Sequence, residues 1–392
     1  MTDAWAAPER QALRESATRF TEREIVPYLP DWEDAGEVPR ELHKRAAAAG
    51  LLGVGFAEDV GGQGGTVVDV SVITEAVIEA GGSSGLVAAL FTHGIALPHI
   101  VASASTELID RYVRPTLAGE TIGSLAITEP DGGSDVASLR TRGTRDGDAY
   151  EVTGSKTFIT SGVRADFVTT AVRTGGDGAG GISLLAIDKD TPGFTVTRPL
   201  RKMGWLCSDT AELAFDHARV PAANLIGEQD AGFVAIMRQF VHERLSLAVQ
   251  AYATAQRCLD LAVTYAKQRE TFGRPLIGRQ VIRHKLVDMH RATTTARAYT
   301  RGVIERAVEP GDDNSQLSLA LDASIAKNDA VEACDHVVDE AVQIFGGAGY
   351  LRESEVERHY RDARILGIGG GTNEVLNDLS AKLLGYGAAR AQ

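Results

Sequence analysis

Cysteine is scarce in this sequence. The 392 residues include three cysteines, Cys207, Cys258 and Cys334, which lie far apart along the chain. An odd number of widely spaced cysteines provides neither a disulfide framework nor a zinc-binding pattern and is typical of a reducing compartment. Long apolar runs are also absent, and residues 1–29 are rich in charge, unlike a signal peptide. These absences predict a soluble protein of the cytoplasm with no membrane partner.

Runs of basic residues are missing as well. The chain has 40 Lys and Arg against 53 Asp and Glu, a net charge of −13 at pH 7. Nucleic-acid binding draws its affinity from clustered Lys and Arg, so this composition argues against a DNA- or RNA-binding protein. The histidines show no metal-ligand spacing, and no metal site is predicted. A hydrophobic fraction of 44% with 24% charged residues is ordinary for a globular enzyme.

The apolar pattern changes twice along the chain. Up to about residue 120 it has helical spacing, with an amphipathic helix predicted over 68–78 and a buried apolar helix over 86–102. From about 121 to 230 the chain turns to β-branched residues in short alternating runs. Helical spacing then returns, with a long helix predicted over 233–269 and a break at Pro310 and Gly311. A chain of this length exceeds one compact core, and we expect domains at 1–120, 121–230 and 231–392.

This order of helical, β and helical parts excludes two common enzyme classes. A Rossmann fold needs strands that alternate with helices, so a bound dinucleotide would have to be held by another geometry. The run Gly81-Gly82-Ser83-Ser84-Gly85 matches the nucleophile elbow of serine hydrolases. That motif requires a strand before it and a helix after it, whereas both neighbours are predicted helices here.

Two segments of the β-rich part contain hydroxyl and aromatic residues in close succession. Residues 125–135 read Leu-Ala-Ile-Thr-Glu-Pro-Asp-Gly-Gly-Ser-Asp, and residues 156–162 read Lys-Thr-Phe-Ile-Thr-Ser-Gly. Read alone, the first segment is a turn that Thr128 and Ser134 could cap. A planar, redox-active ring would need hydroxyl and backbone donors at its polar edge and an apolar plate on one face. Both kinds of group are available in these segments.

Two glycine-containing segments follow in the second helical part. One begins at Arg269 and reads Arg-Glu-Thr-Phe-Gly-Arg-Pro, and the other covers 343–350 and reads Gln-Ile-Phe-Gly-Gly-Ala-Gly-Tyr. In isolation Gly346 and Gly347 mark a helix terminus. Their functional interpretation is that glycine lets backbone N–H groups approach a pyrophosphate, to which Arg269 would add a charge-assisted contact.

Glu243 is the strongest candidate for a general base. A glutamate in a long helix is usually solvated, and Glu243 could form an ordinary exposed pair with Arg244. However, Leu247 lies one turn further on, and Phe240 and Ser246 flank Glu243 three residues away on either side. A carboxylate on this largely apolar face would be partly desolvated, which raises its pKa toward the working pH of a base.

The second candidate segment covers 367–374 and reads Gly-Ile-Gly-Gly-Gly-Thr-Asn-Glu. Thr372 and Glu374 are consistent with an N-cap and an acidic first turn of a helix that follows from residue 375. Gly370 precedes this cap. Its hydrogen cannot abstract a proton, so only its backbone N–H is available for chemistry.

Read in order, these segments resemble the acyl-CoA dehydrogenase family over almost the whole chain. Many members place a catalytic glutamate where this chain has Gly370. The long-chain and isovaleryl-CoA branches have Gly or Ala there, and their base stands on a different helix in a Glu-Arg-Leu context similar to that of Glu243. The resemblance implies an α+β fold with an N-terminal helical domain, a middle β-barrel-like domain and a C-terminal helical bundle.

The resemblance also implies a reaction, the α,β-desaturation of an acyl-CoA thioester to the trans-2-enoyl-CoA with FAD as cofactor. Glu243 would remove the α-proton while the β-hydrogen leaves as hydride to flavin N5. The thioester oxygen would accept hydrogen bonds from a flavin ribityl hydroxyl and from the N–H of Gly370. Electrons would pass to an electron-transferring flavoprotein, and FAD sites shared between subunits imply a homotetramer, a dimer of dimers.

Family position assigns roles to further residues. Phe158, where many relatives have Trp, would cover the flavin ring, with Thr128 and Thr160 at its polar edge. The expected cofactor contacts are Leu125, Ile127, Thr128, Ser134, Phe158, Ile159, Thr160, Arg269, Phe272, Gln280, Gln343, Ile344, Gly346, Gly347, Thr372 and Glu374. The expected substrate contacts are Ser134, Phe240, Arg244, Gly370 and Gly371, beside the catalytic pair Glu243 and Gly370.

Two other functions stay open at this point. One is an oxygen-using flavoenzyme of the same fold, an acyl-CoA oxidase or a flavin monooxygenase. The other is a non-catalytic acyl-CoA-binding protein, against which the presence of Glu243 argues. Among substrates, straight medium-to-long acyl chains rank slightly ahead of short branched ones.

Overall fold

The computed structural model describes residues 4–309 and 313–386. This part of the chain is a mixture of helices and one large sheet, so the predicted α+β class is confirmed. The helices are α1 (Pro8–Glu24), α2 (Leu29–Ala35), α3 (Arg40–Ala48), α4 (Val67–Glu79), α5 (Ser84–Leu90), α6 (His93–Ala102), α7 (Thr106–Leu108), α8 (Arg114–Leu117), α9 (Gly232–Gln268), α10 (Gln280–Ala307), α11 (Asp313–Phe345), α12 (Glu355–Ala363) and α13 (Asn373–Leu383). The strands are β1 (Gly123–Ala126), β2 (Arg142–Asp146), β3 (Ala149–Thr160), β4 (Phe167–Arg173), β5 (Ile182–Asp188), β6 (Phe194–Pro199), β7 (Thr210–Pro221), β8 (Leu225–Ile226), β9 (Glu270–Thr271) and β10 (Arg274–Pro275).

The chain divides into two compact units. The first unit comprises Met1–Pro30, Thr66–Ser84 and Val241–Gln392, and the second comprises Asp31–Gly65 and Gly85–Phe240. This grouping differs from the three consecutive domains expected from the sequence, and that division stays a prediction. The expected break at Pro310 and Gly311 lies outside the described residues.

The second unit contains the β-rich part, which forms one mixed sheet. Its strands follow the order β6-β7-β3-β2-β4-β5-β8, and β1 pairs in parallel with β4. β3 and β7 form a long antiparallel pair from Ala149 opposite Pro221 to Thr160 opposite Thr210. Alternation of apolar residues along these strands supplies the core of the unit, which includes Tyr150, Phe167 and Phe215.

The predicted apolar helix over 86–102 is observed as two helices, α5 and α6, bent by 40°. Thr92 lies at the break and donates its hydroxyl to the Ala88 carbonyl oxygen at 2.6 Å. Such side-chain bonds compete with the helical ladder and bend helices, which accounts for the interruption. Across residues 4–309 and 313–386, no single helix has the length and apolarity to cross a bilayer, although this bent pair passes by length and composition.

The first unit is built from helices. α1 packs on α4, and α11 packs on α10, α12 and α13. α4 was expected to be amphipathic, but nearly all of its side chains are buried. The reason is Glu75, whose carboxylate accepts hydrogen bonds from Arg301 at 2.7 and 2.8 Å and from the Tyr252 hydroxyl at 2.6 Å. Because the charge is paired, this face of the helix can be buried together with its apolar faces.

The long helix expected over 233–269 is confirmed as α9, Gly232–Gln268. The helix expected after Thr372 is also present as α13, Asn373–Leu383. Its N-cap is Thr372, whose side-chain oxygen accepts a hydrogen bond from the Val375 N–H at 3.3 Å. The capping residue therefore terminates the glycine turn and starts the helix at a defined position.

Candidate active site

Phe158 is held in a backbone conformation that aromatic residues rarely adopt. Its φ angle is +59°, and its side chain is 68% exposed although it lies within strand β3. The register between β3 and β7 shifts between Lys156 and Ile159, which forms a bulge around Phe158. A positive φ at such a residue costs on the order of 1–3 kcal/mol and persists only when its surroundings impose it. The chain thus stores strain to present an aromatic ring on the surface of the second unit.

A buried ion pair joins this bulge to the loop that carries Thr128. Lys156 is fully buried and donates to Glu129 Oε1 at 2.8 Å and to the Ile127 carbonyl oxygen at 3.0 Å. Burial lowers the pKa of Lys156 to about 8, and Glu129 opposes that shift. In addition, the Thr157 N–H donates to the Thr128 carbonyl oxygen at 2.9 Å. These bonds bring Thr128 beside the strand of Phe158.

The other predicted cofactor contacts near Phe158 differ in their solvent exposure. Thr128 and Thr160 are half-buried, and Ser134 is exposed in the loop that follows β1. Ile127 and Ile159 are buried in the two cores of the unit, so only their backbone groups can face a ligand. Leu125 is half-buried at the edge of the first core. An aromatic plate and two half-buried hydroxyl residues, held by one ion pair, fit the demands of a planar ring with a polar edge.

Glu243 and Gly370 meet in the first unit. A Cβ atom built on Gly370 would stand 3.9 Å from Glu243 Oε1 and 2.6 Å from Leu247 Cδ1. Gly370 has a φ angle of +66°, which strongly favours glycine. The Arg244 Nε atom donates to the Gly370 carbonyl oxygen at 3.3 Å. The α9 segment and the glycine turn are therefore in direct contact.

The environment of Glu243 suits a base. The residue is half-buried, and burial raises the pKa of its carboxyl group to about 6, while the neighbouring Arg244 opposes that rise. Within the described residues, no hydrogen-bond acceptor is found for the Gly370 N–H. A weakly basic carboxylate and a free backbone donor thus lie side by side. Such a pair can remove a proton next to a carbonyl and stabilise the negative charge that develops on its oxygen.

The remaining predicted residues near Glu243 and Gly370 differ in their surroundings. Phe240 belongs to the second unit, where it packs against the apolar cluster that contains Leu97 and Ile236. Gly371 and Thr372 continue the glycine turn, and Glu374 is exposed on α13. The structure consequently places Arg244 and Gly371 beside the Glu243 and Gly370 pair, but it gives Phe240 a packing role.

The expected phosphate-binding segments are neighbours in the first unit. Tyr265 stacks on Phe345 with ring centroids 4.2 Å apart, and the Tyr265 carbonyl oxygen accepts a hydrogen bond from the Arg269 N–H at 2.8 Å. Arg269, Gly346 and Gly347 are exposed. Two further predicted residues, Phe272 and Gln280, flank the β9–β10 hairpin and are exposed, as is Gln343, whereas Ile344 is buried. An exposed arginine beside an exposed glycine turn suits an anion.

Three comparisons with known proteins identify the family of this chain. The family models for the N-terminal, middle and C-terminal domains of acyl-CoA dehydrogenase match residues 7–120, 124–218 and 230–385. This chain belongs to the acyl-CoA dehydrogenase family. It is therefore a flavin-dependent oxidoreductase, and the resemblance seen in the sequence is confirmed.

Individual relatives within the family differ in their substrates. The long-chain specific acyl-CoA dehydrogenase of Sus scrofa is 35% identical over 95% of this chain and 86% of its own length. The isobutyryl-CoA dehydrogenase of Bos taurus is 33% identical over 96% of this chain and 89% of its own length. A crystal structure of a probable acyl CoA dehydrogenase from Mycobacterium abscessus has 64% identity and a TM-score of 0.95, covering 97% of this chain and 100% of that one.

Sequence reasoning missed the charged residues that hydrogen-bond to the site segments without being part of the predicted site. Lys156 and Glu129 lie inside motifs that the sequence singled out, yet neither was assigned a role. Lys327 lies on α11 outside every motif, and its contacts with the glycine turn depend on tertiary packing. The sequence signal that could have identified Lys327 is a lysine within an otherwise apolar face of a helix.

Proposed function

We propose that this protein is an FAD-dependent acyl-CoA dehydrogenase in which Glu243 abstracts the α-proton of the thioester. The observation that carries the proposal is the 3.9 Å separation between Glu243 Oε1 and the Cβ position of Gly370. A thioester α-proton is a very weak acid, so its removal requires a base and a donor to the thioester oxygen at the same place. Glu243 and the Gly370 N–H are the two groups that meet this requirement.

The pKa of Glu243 supports its role as the base. With a pKa of about 6, the carboxyl group is ionised at neutral pH and still binds a proton more strongly than an exposed glutamate does. Leu247, one turn further along α9, adds an apolar group 2.6 Å from the Cβ position of Gly370. A proton taken from the α-carbon would reside on Glu243 until it passes to solvent.

The oxygen of the thioester would be held by the backbone N–H of Gly370. Loss of one such donor typically costs on the order of 3 kcal/mol in the activation barrier. The glycine has no side chain to compete for this position, and its N–H has no acceptor in the part of the chain described. The role requires only a correctly directed N–H.

FAD, when bound, supplies the acceptor for the β-hydrogen. Phe158 would lie against the face of its ring, and Thr128 and Thr160 would bind its polar edge. Arg269, Gly346 and Gly347 would bind pyrophosphate oxygens through charge and backbone N–H groups. The support for this assignment is the positive φ angle and the 68% exposure of Phe158, which present an aromatic ring at the surface of its unit.

The proposed substrates are straight medium-to-long acyl-CoA thioesters, which places the enzyme in fatty-acid metabolism. The relatives include enzymes named for long-chain and for isobutyryl substrates, with nearly equal identity to this chain. Straight chains are proposed first because the Glu-Arg-Leu and Gly-Gly-Thr-Asn-Glu contexts lean toward the long-chain branch. Short branched thioesters are the alternative that the experiment below includes.

Further parts of the proposal concern partners. An electron-transferring flavoprotein is the proposed electron acceptor, and a homotetramer in the cytoplasm is the proposed state of the enzyme. The support for an oligomer is the exposure of aromatic residues in the first unit, with Phe272 96% and Tyr350 84% exposed. Solvent exposure of such rings is unfavourable, and a second subunit would cover them.

Anaerobic titration of the purified, FAD-loaded protein with straight and branched acyl-CoA thioesters tests the function. We expect bleaching of flavin absorbance by one chain class in the wild type and at least about a hundredfold slower bleaching in Glu243→Gln. Asp260→Asn, an exposed acid on the same helix, is the matched control and should behave like the wild type. Equal bleaching in wild type and Glu243→Gln would place the base elsewhere.

Two outcomes of the same experiment would favour the other functions. Absence of bleaching by every thioester, together with tight thioester binding, would indicate an acyl-CoA-binding protein. Rapid recovery of flavin absorbance on mixing with air would indicate an oxygen-using enzyme, whereas slow recovery that an electron-transferring flavoprotein accelerates would support a dehydrogenase.

A further inference from the structure

Lys327 is a fully buried cation beneath the glycine turn. It lies on α11, and its Nζ atom donates to the Gly371 carbonyl oxygen at 3.0 Å and to Asn373 Oδ1 at 3.1 Å. Burial of a lysine is costly unless its charge is compensated. Within the described residues Lys327 forms no ion pair within 4.0 Å, so backbone and amide oxygens take the place of a carboxylate. Because burial of this cation without a carboxylate partner is unfavourable, we expect its contact with the glycine turn to have a function.

Two cations from two different helices bind successive carbonyl groups of the turn. Arg244 of α9 donates to the Gly370 carbonyl oxygen at 3.3 Å, and Lys327 of α11 donates to that of Gly371. Gly370 and Gly371 both have positive φ angles, +66° and +100°. Consecutive glycines have more backbone freedom than any other pair of residues. Without these two bonds, the peptide planes of the turn would be free to rotate.

We propose that Lys327 is a positioning residue for the desaturation reaction. By holding the Gly371 carbonyl it fixes the Gly370-Gly371 turn, and it thereby directs the Gly370 N–H toward the thioester oxygen. The inference rests on the proposed function, since it assigns a purpose to the direction of that N–H. Lys327 itself does not touch the substrate.

The surroundings of Lys327 are consistent with this role. Burial lowers its pKa to about 8, and the positive charge of Arg244 acts in the same direction. The carboxylates of Glu374 on α13 and Asp335 on α11 oppose the shift. The lysine is therefore mostly charged at neutral pH, when its bond to the Gly371 carbonyl is strongest.

The neighbouring Asn328 provides a matched control. Its Nδ2 atom donates to the Asn373 carbonyl oxygen and to Asn377 Oδ1, both at 2.9 Å. Asn328 thus binds the first turn of α13 from the same helix, but it makes no contact with the carbonyl of Gly370 or Gly371. A substitution there weakens the same helix junction without releasing the glycine turn.

The test uses the holoenzyme and a 3-thiaacyl-CoA. This analogue has sulfur in place of the β-carbon, so it can lose its α-proton but cannot lose a hydride. Its deprotonation on the enzyme is followed by the long-wavelength absorbance of the complex as a function of pH. In Lys327→Met we expect the apparent pKa of the bound analogue to rise by about one unit or more, a roughly tenfold weaker stabilisation of the enolate. With a true substrate, kcat should fall by roughly tenfold to a hundredfold, with little change in KM.

Two further variants complete the design. Lys327→Arg keeps a buried cation and should retain most of the enolate stabilisation. Asn328→Ala should lower the melting temperature while the pKa of the bound analogue stays at the wild-type value. A shift in Lys327→Met no larger than in Asn328→Ala would overturn the inference. If Lys327→Met does not fold, Lys327→Gln takes its place, and a bound analogue with the wild-type pKa in Lys327→Gln would overturn the inference. If the wild type itself fails to deprotonate the analogue, it is the proposed function that fails.

Discussion

Glu243 Oε1 lies 3.9 Å from the point at which a Cβ atom on Gly370 would stand. The carboxylate of α9 thus reaches the place beside the glycine turn where a side chain at position 370 would begin. The same Cβ would be 2.6 Å from Leu247 Cδ1, closer than real Cβ atoms come to other atoms. The φ angle of +66° at Gly370 disfavours any side chain at position 370, and Leu247 would have to move to admit one. A side chain at position 370 would therefore compete with the Glu243 carboxylate for the same place.

The first prediction concerns relocation of the base. Glu243→Gln combined with Gly370→Glu should stay at least about a hundredfold less active than the wild type, because Leu247 blocks the new side chain. Adding Leu247→Ala should restore part of the activity by removing the clash. Steady-state turnover of the best acyl-CoA substrate measures both effects. Full recovery in the double variant would show that Leu247 imposes no barrier.

The second prediction concerns the pH dependence of the reaction. Glu243 acts as a base only when ionised, and its pKa is about 6. The value of kcat/KM should therefore fall tenfold per pH unit as the pH drops below about 6 and be level above that value. A pH–rate profile of the free enzyme checks this limb. A limb near 4.5, the ordinary value for glutamate, would mean that Glu243 is solvated or is not the base.

The third prediction links the same group to stability. Its carboxyl pKa is raised in the folded state, so the folded protein binds the proton more tightly than the unfolded chain and ionised Glu243 is destabilising. Glu243→Gln should raise the free energy of unfolding by about 2 kcal/mol above pH 6, with the gain lost by about pH 4.5. Denaturant unfolding at pH 8 and pH 5 measures the difference. A variant less stable than the wild type at pH 8 would contradict it.

The fourth prediction tests the strain at Phe158. Phe158→Gly removes the penalty of the positive φ and gives up little burial, because the ring is 68% exposed. The free energy of unfolding of the FAD-free protein should change by less than about 1 kcal/mol or increase. The Kd for FAD should rise by roughly tenfold or more through loss of the stacked ring. Isothermal titration with FAD gives this value.

Phe194→Ala is the control for that experiment. Phe194 is half-buried on the terminal strand β6 and packs on the buried Phe215 with ring centroids 5.3 Å apart. Its removal should destabilise the protein by roughly 2 kcal/mol or more without a comparable change in FAD affinity. If Phe158→Gly destabilises as strongly as Phe194→Ala, the ring of Phe158 has a structural role.

The fifth prediction concerns acid sensitivity. His93 is buried against Phe56 and Phe91 and is hydrogen-bonded to the Leu52 carbonyl oxygen at 3.0 Å. Burial lowers its pKa from 6.5 to about 4, so its neutral form stabilises the fold above pH 6.5 and this contribution is lost as the pH falls toward 4. Replacement by Phe should reduce the slope of unfolding free energy against pH between 6 and 4 by about 1.4 kcal/mol per unit. An unchanged slope would assign the acid sensitivity to other groups such as His43, which is also buried and neutral.

Much of the architecture was predictable because it depends on local pattern. The period of apolar residues changes at about residues 121 and 230, and strands β1 to β8 lie between those positions, with α9 beginning at Gly232. The N-cap at Thr372 followed from the same reasoning. The break between α5 and α6 was not predicted, since a single hydroxyl of Thr92 interrupts a continuous apolar run.

The sequence by itself determined the family and the α+β class and predicted Glu243 as the base, because each of these rests on residue types in a fixed order. Tertiary structure alone decided which residues surround the candidate site. The contact of Glu243 with Gly370, the bulge that strains Phe158 and the cations of Arg244 and Lys327 on the glycine turn join residues from separate elements. Such contacts depend on how helices and strands pack, and no spacing along the chain encodes a distance across it.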